Sequence, residues 1–137
     1  MTEIEIVYKP IGFVESDFKH QNEPEKIRNS ESALLLDEIY IPALDGLLRF
    51  KHLIVLYHID RSPGYAPKVH PHGDPNIPER GVLSTRSPCR PNPIGLTVVE
   101  VLEISGNRIR VKYLDALDGT PILDIKPYEK LFDSPPE

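Results

Sequence analysis

Apolar and polar positions alternate through Ile4, Ile6 and Tyr8, which predicts a first strand over residues 4–14, with Gly12 allowing a bend or bulge. From His20 to Ser32 the chain is polar and charged without an apolar period, which predicts an exposed loop. Leu34 to Ile41 is apolar enough for a second strand. Pro42 to Phe50 predicts one helical turn with proline near its start, against which Gly46 counts. His52 to Ile59 is β-branched and almost continuously apolar, as expected of a strand buried on both faces, with His58 a core histidine. Residues 62–80 carry Pro63, Pro67, Pro71, Pro75 and Pro78 and predict a long loop. Gly81 to Thr85 reads as a short strand. Thr97 to Ile104 and Arg108 to Leu114 flank Ser105-Gly106-Asn107 as a hairpin, and Ile122 to Ile125 is a last short strand.

About seven short strands with long proline-rich loops and no long amphipathic helix predict an all-β fold. Closure into a small β-barrel is preferred over an open sandwich because it removes exposed edges. The 137 residues fit one domain, 1–137, and fifteen prolines are too many for a helical bundle, since each removes a backbone donor.

Charge refines the picture. The net charge of −5 argues against a generic nucleic-acid coat. Residues 1–48 carry four Lys/Arg against ten Asp/Glu, residues 49–90 seven against three, and residues 91–137 five against eight. Only the middle third is basic, so a phosphate would be met there. The single cysteine, Cys89, excludes an internal disulfide and a multi-cysteine zinc site. Met1 to Glu5 lacks the basic and apolar regions of a signal peptide, and the longest apolar run, Leu53 to Tyr57, is far below the roughly 20 residues that span a bilayer. A cytoplasmic protein with no membrane association is expected.

Thr85-Arg-Ser-Pro-Cys-Arg-Pro-Asn-Pro-Ile-Gly95 is the least ordinary stretch. Its prolines stiffen a loop that presents Arg86 and Arg90, planar five-donor groups suited to carboxylates and phosphates. The plainer alternative is a crossover loop whose arginines cap carbonyls. Asn92, held beside Pro93, offers a carbonyl to an exocyclic amine, although Asn-Pro is also an ordinary turn starter. In Asp115-Ala-Leu-Asp-Gly-Thr-Pro121, Asp118-Gly119 signals a tight turn, while Asp115 or Asp124 could serve a cationic ligand or take a proton. His70 and His72 with Asp74 look like metal ligands, but a proline-rich loop gives no sign of convergence, and no metal is expected. The glycine motifs of Rossmann and P-loop folds are missing, so a nucleotide-like cofactor would bind outside them.

Ile11-Gly12-Phe13-Val14, Phe50-Lys-His-Leu53, the run from Gly81 through Leu96 and the run from Asp115 through Tyr128 together resemble TrmO, the TsaA-like family, over roughly residues 4–130. The resemblance implies a non-Rossmann β-barrel methyltransferase that uses S-adenosylmethionine to methylate N6 of threonylcarbamoyl-adenosine beside the anticodon of threonine tRNA. It also implies a homodimer with cofactor sites near the subunit interface. By motif position, Asp60, Arg61, Arg86, Leu96, Asp118, Gly119, Thr120 and Pro121 would contact the cofactor. Arg61, Arg86 and Arg90 would also meet RNA phosphate, Asn92 would orient the purine amine, and Asp115 or Asp124 would accept its proton. Where family members show Pro-Arg-Gln, this chain has Glu23-Pro24-Glu25-Lys26, and longer members carry a C-terminal domain after the barrel. The competing expectation is a non-catalytic barrel that binds an adenosine-containing ligand or RNA.

Overall fold

The computed structural model describes residues 3–20 and 24–136. Six strands close into one antiparallel barrel: β1 (Gly12–Glu15), β2 (Glu31–Leu36), β3 (His52–His58), β6 (Ile94–Ser105), β7 (Arg108–Lys112) and β8 (Pro121–Pro127), in spatial order β1-β2-β7-β6-β3-β8. Two further strands, β4 (Lys68–Val69) and β5 (Arg80–Gly81), form a separate ribbon. The helices are short: α1 (Pro24–Arg28) and α2 (Lys130–Asp133). The expected all-β barrel is therefore what forms.

Alternate residues of each strand fill the interior. Val14, Leu34, Leu53, Val55, Val99, Ile109, Val111 and Ile122 make one dry cluster, closed at one end by Leu114 and Ala116. Burying a side chain of this size stabilises by about 1.5–3 kcal/mol, which sets the register of every strand, because a one-residue slip would turn this set outward. β3, expected to be buried on both faces, is buried fully on one: Leu53, Val55 and Tyr57 face the interior, while on the outer face Ile54 is buried and Leu56 only half-buried. His58 corrects the expectation of a core histidine. Tyr57 faces inward, so its neighbour faces out and is exposed.

Other boundaries differ for identifiable reasons. Residues 3–10 are not a strand: they are exposed, with Ile4 76% and Tyr8 75% accessible, and the chain joins the barrel at Ile11, whose N–H donates to the Ile122 carbonyl at 2.8 Å. Their alternation has no partner strand among the described residues. The predicted 20–32 loop contains α1, anchored by buried Ile27, and the first residues of β2; residues 21–23 of that stretch lie outside the described residues. The second strand stops at Leu36, where Asp37 Oδ1 accepts the Ile39 N–H and starts a 3-10 helix over Glu38–Leu44. The helical turn expected from Pro42 is thus two 3-10 segments separated by Gly46 at φ 84°. Gly81 to Thr85 is not a strand either. Only Gly81 pairs, and Val82–Ser84 is a 3-10 turn held by Thr85 Oγ1 donating to the Val82 carbonyl at 2.7 Å.

Because all barrel neighbours are antiparallel, the connections sort by rim. Residues 16–30, 59–93 and 113–120 leave from one rim, whereas 37–51 and the 106–107 turn lie at the other. Among the described residues no helix is long and apolar enough to cross a membrane.

Candidate functional site

The rim sorting brings together most of the residues singled out from sequence. The arginine loop, Asp60-Arg61 and the Asp115–Pro121 segment all rise from the same end of the barrel. Residues 59–62 are the bridge between them. On one side, Ile59 N–H donates to the Pro93 carbonyl at 2.7 Å and Ser62 Oγ donates to the Pro88 carbonyl at 2.7 Å. On the other, the Arg61 guanidinium donates to the Asp118 carbonyl. The arginine loop and the aspartate turn are therefore tied to one short segment.

The aspartate turn is pinned from below as well. Asp118 Oδ1 accepts the Ser16 N–H at 2.9 Å, Asp118 N–H donates to the Phe18 carbonyl at 2.7 Å, and Gly119 N–H donates to the Val14 carbonyl at 2.7 Å. Gly119 sits at φ 81°, a left-handed conformation that favours glycine, with Arg61 beside it. Thr120 is buried and Pro121 opens β8.

Tyr57 is the polar centre that the sequence pattern does not reveal, because it looks like one more apolar residue of β3. Its hydroxyl lies 2.8 Å from the Asp115 carbonyl and 2.9 Å from Thr97 Oγ1. The single phenolic proton goes to the carbonyl, so Thr97 donates to Tyr57. Gly95 makes room for the ring, since a β-carbon there would fall within it. Burial pushes the Tyr57 phenol above its ordinary value near 10; the Thr97 hydrogen bond opposes this, the Asp115 charge adds to it, and Arg86 and Arg28 pull it down. Asp115, Arg86 and Arg28 thus act on one buried oxygen at this rim.

The arginines divide by what they hold. Arg90 Nη1 donates to the Thr85 carbonyl at 2.5 Å and to the Val82 carbonyl at 3.2 Å, the carbonyl-capping role allowed from sequence. Arg61 holds the Asp118 turn. Among the described residues Arg86 has neither a hydrogen-bond nor an ion-pair partner, and it is exposed. By contrast, a cleft of about 250 Å³ on the β1-β2-β7 wall is lined by arginines that are already neutralised, Arg108 on Glu15 at 2.9 Å and Arg110 on Glu31 at 3.0 Å.

Three expected site residues sit elsewhere or play a plainer part. Leu96 pairs with Leu56, and Leu56 with Asp124, so Leu96 and Asp124 share a row on the outward face of the barrel wall rather than the rim. Asp124 is ion-paired with Lys126 at 3.1 Å and accepts the Ile125 N–H. The Asn92 carbonyl accepts the Ile94 N–H at 2.8 Å, forming a turn, and its exposed side chain has no partner among the described residues. Asp60 is exposed beside Arg61. His70 Nδ1 donates to the Ile77 carbonyl at 2.8 Å, and among the described residues no three His, Cys, Asp or Glu side chains are placed to share a metal.

The fold is a closed antiparallel barrel with arginine and aspartate loops on a single rim, unlike the parallel doubly wound sheet of Rossmann proteins. The chain belongs to the tRNA-methyltransferase O family, whose N-terminal-domain model matches residues 13–134. It is 46% identical over 131 residues to an S-adenosyl-L-methionine-binding protein of Archaeoglobus fulgidus, covering 93% of each chain. It is 42% identical over 137 residues to a probable S-adenosyl-L-methionine-binding protein of Methanothermobacter thermautotrophicus, covering 98% of each. The mouse tRNA (adenine(37)-N6)-methyltransferase is 36% identical over 140 residues, 95% of this chain and 32% of that one. The crystal structure of TrmO from Pseudomonas aeruginosa superposes with a TM-score of 0.75 at 28% identity, covering 96% of this chain and 59% of that one. The chain thus matches the two archaeal relatives nearly end to end, but spans under two thirds of the bacterial structure and about a third of the mouse protein.

Proposed function

We propose that this chain binds S-adenosylmethionine at the Arg86–Asp118 rim and transfers its methyl group to N6 of an adenine beside the anticodon of a tRNA. The substrate is threonylcarbamoyl-adenosine of threonine tRNA, and the working form is a cytoplasmic homodimer. The observation that carries the reading is the residue 59–62 bridge, which holds the arginine loop and the aspartate turn against each other. Family membership and the relatives' names support it.

The residues present fit such a cofactor. A carboxylate tail matches Arg86, which is charged and without a partner among the described residues, and cationic groups match Asp115 and the carbonyls of the pinned turn. Bound S-adenosylmethionine supplies an electrophilic methyl carbon, and its transfer demands alignment more than covalent catalysis. Arg61 fixes the Asp118-Gly119-Thr120-Pro121 turn and Tyr57 fixes the Asp115 backbone, so the site is ordered before ligand arrives. Asn92 orients the purine amine, and Asp115 takes the proton that N6 loses. Asp124, ion-paired with Lys126 on the outer wall, is the alternative acceptor of that proton. Asp60, beside Arg61, and Leu96, on the outer wall two residues past the start of β6, complete the cofactor contacts.

One experiment decides. Purified protein is incubated with methyl-labelled S-adenosylmethionine and threonine tRNA with or without the threonylcarbamoyl group. Label at N6 of the modified tRNA alone is the expected result. A second reading, a binder that does not transfer methyl, is favoured by the full-length archaeal relatives, whose names state only S-adenosyl-L-methionine binding. Calorimetric binding without label transfer would establish it.

A further inference from the structure

The β4–β5 ribbon has no part in closing the barrel or in the cofactor contacts. Lys68 pairs with Gly81 and Val69 with Arg80. The flanking tracks continue the pairing toward the arginine loop, where Val82 N–H donates to the Pro67 carbonyl at 3.0 Å and Ala66 N–H to the Cys89 carbonyl at 3.0 Å. With the Ser62 to Pro88 bond, residues 62–69 and 80–89 form one stitched platform that ends at Arg86. Arg90 stiffens it from within.

This platform presents chemistry that folding does not use. Tyr65 is 61% exposed although the residue beside it is hydrogen-bonded into the platform, so its ring is held in water. Lys68 is exposed and has no partner among the described residues. Arg80 donates only its Nε–H, to the Ser84 carbonyl at 3.2 Å. The nearby carboxylates lie on the 70–79 turn rather than on the platform: Asp74 accepts the Asn76 N–H at 2.9 Å, and Glu79 lies 3.9 Å from His70 Nε2. At the opposite rim and the C-terminal helix the surplus is acidic, with Asp37, Glu38, Asp45, Glu129 and Asp133 against Arg49, Lys51 and Lys130. That surplus disfavours a polyanion at the opposite rim, whereas residues 62–69 and 80–89 carry Lys68, Arg80 and Arg86 and no carboxylate.

We propose that the β4–β5 ribbon is the platform on which single-stranded loop RNA lies as its target base reaches the rim. Lys68 and Arg80 neutralise backbone phosphates, and Tyr65 stacks on an unpaired base flanking the target. Duplex RNA is not the expected ligand, because its stacked bases leave no face for Tyr65. The proposal rests on the methyl-transfer reading and extends it to residues outside the cofactor contacts.

The test is fluorescence anisotropy with a labelled anticodon stem–loop RNA over a salt series, with calorimetric S-adenosylmethionine binding on the same preparations. Combining Lys68→Gln with Arg80→Gln should weaken RNA binding at least tenfold and flatten the slope of log affinity against log salt by about 1.4, at roughly 0.7 for each phosphate no longer neutralised. Tyr65→Ala should weaken binding roughly five- to a hundred-fold, as expected for one base–aromatic stack, whereas Tyr65→Phe keeps wild-type affinity. Cofactor affinity stays unchanged throughout. Wild-type RNA affinity and salt slope in the variants overturn the ribbon alone. Loss of cofactor binding along with RNA binding makes the ribbon structural and also overturns it. A wild-type protein that binds cofactor but no RNA overturns both the ribbon and the methyltransferase reading.

Discussion

The Tyr57 hydroxyl holds the backbone carbonyl of Asp115 at 2.8 Å, joining the rim end of the hydrophobic strand β3 to the last connection of the barrel. Thr97 on β6 completes the chain at 2.9 Å. Tyr57→Phe keeps the ring and removes this junction, leaving a carbonyl and a threonine hydroxyl without their partner. Stability should fall by about 1–3 kcal/mol, measured as the urea midpoint. S-adenosylmethionine affinity should fall as well, because the Asp115 segment loses its tether. Combining Tyr57→Phe with Thr97→Val should cost less than the two separate effects summed, as two members of one network do. Full additivity would show that the network is not a unit.

The same phenol makes stability depend on alkaline pH. Burial raises its pKa in the folded state, so the folded protein holds this proton more tightly than the unfolded chain. The contribution is complete below the unfolded value near 10 and is lost as pH rises through the higher folded value. The wild-type advantage over Tyr57→Phe should therefore be constant at neutral pH and shrink above about pH 10. Urea midpoints of both proteins across that range check it, and curves that stay parallel would refute the assignment.

Short alternating or continuously apolar runs, a glycine-containing turn and the cost of open edges are enough to read the barrel, the 105–107 hairpin and β3 from the chain, since each answers to one interior. The arm at 3–10 carries alternation too, without a partner strand among the described residues, and pattern alone cannot tell the two apart. Gly81 to Thr85 misleads because only Val82 needs burial, so a tight turn serves as well as a strand. At the site, the arginines and aspartates are visible as residue types. Their division of labour is not, because which guanidinium meets a carbonyl depends on chain crossings such as Arg61 to Asp118, 57 positions apart. Tyr57 is hidden for the opposite reason: a tyrosine within an apolar run gives no sign that its hydroxyl is used.

Gly95 is fixed by the Tyr57 ring rather than by backbone torsion. A methyl group at this position falls within the ring, while one at Gly81 meets nothing within 4 Å. Gly95→Ala should destabilise the barrel by about 2–3 kcal/mol, the range of overpacking in a tight interior, and Gly81→Ala should be neutral to within about 0.5 kcal/mol. Thermal unfolding of the two variants side by side measures the contrast. Equal melting temperatures would mean that the ring can move aside without penalty.

Arg86 and Arg90, four positions apart on one loop, should fail in different ways. Arg90 caps the carbonyls of Thr85 and Val82, so Arg90→Ala leaves those acceptors short of a charged donor and loosens the loop. It should lower stability by about 1–3 kcal/mol and weaken cofactor binding only as a consequence. Arg86 has no such duty among the described residues, so Arg86→Ala should leave the urea midpoint unchanged while weakening S-adenosylmethionine binding at least tenfold, the loss expected for one charge-assisted hydrogen bond. Arg86→Lys should recover only part of the affinity, because a point charge replaces a two-pronged donor. Calorimetry and urea titration on the three variants separate the roles. An Arg86→Ala protein that binds the cofactor like wild type would remove this residue from the site.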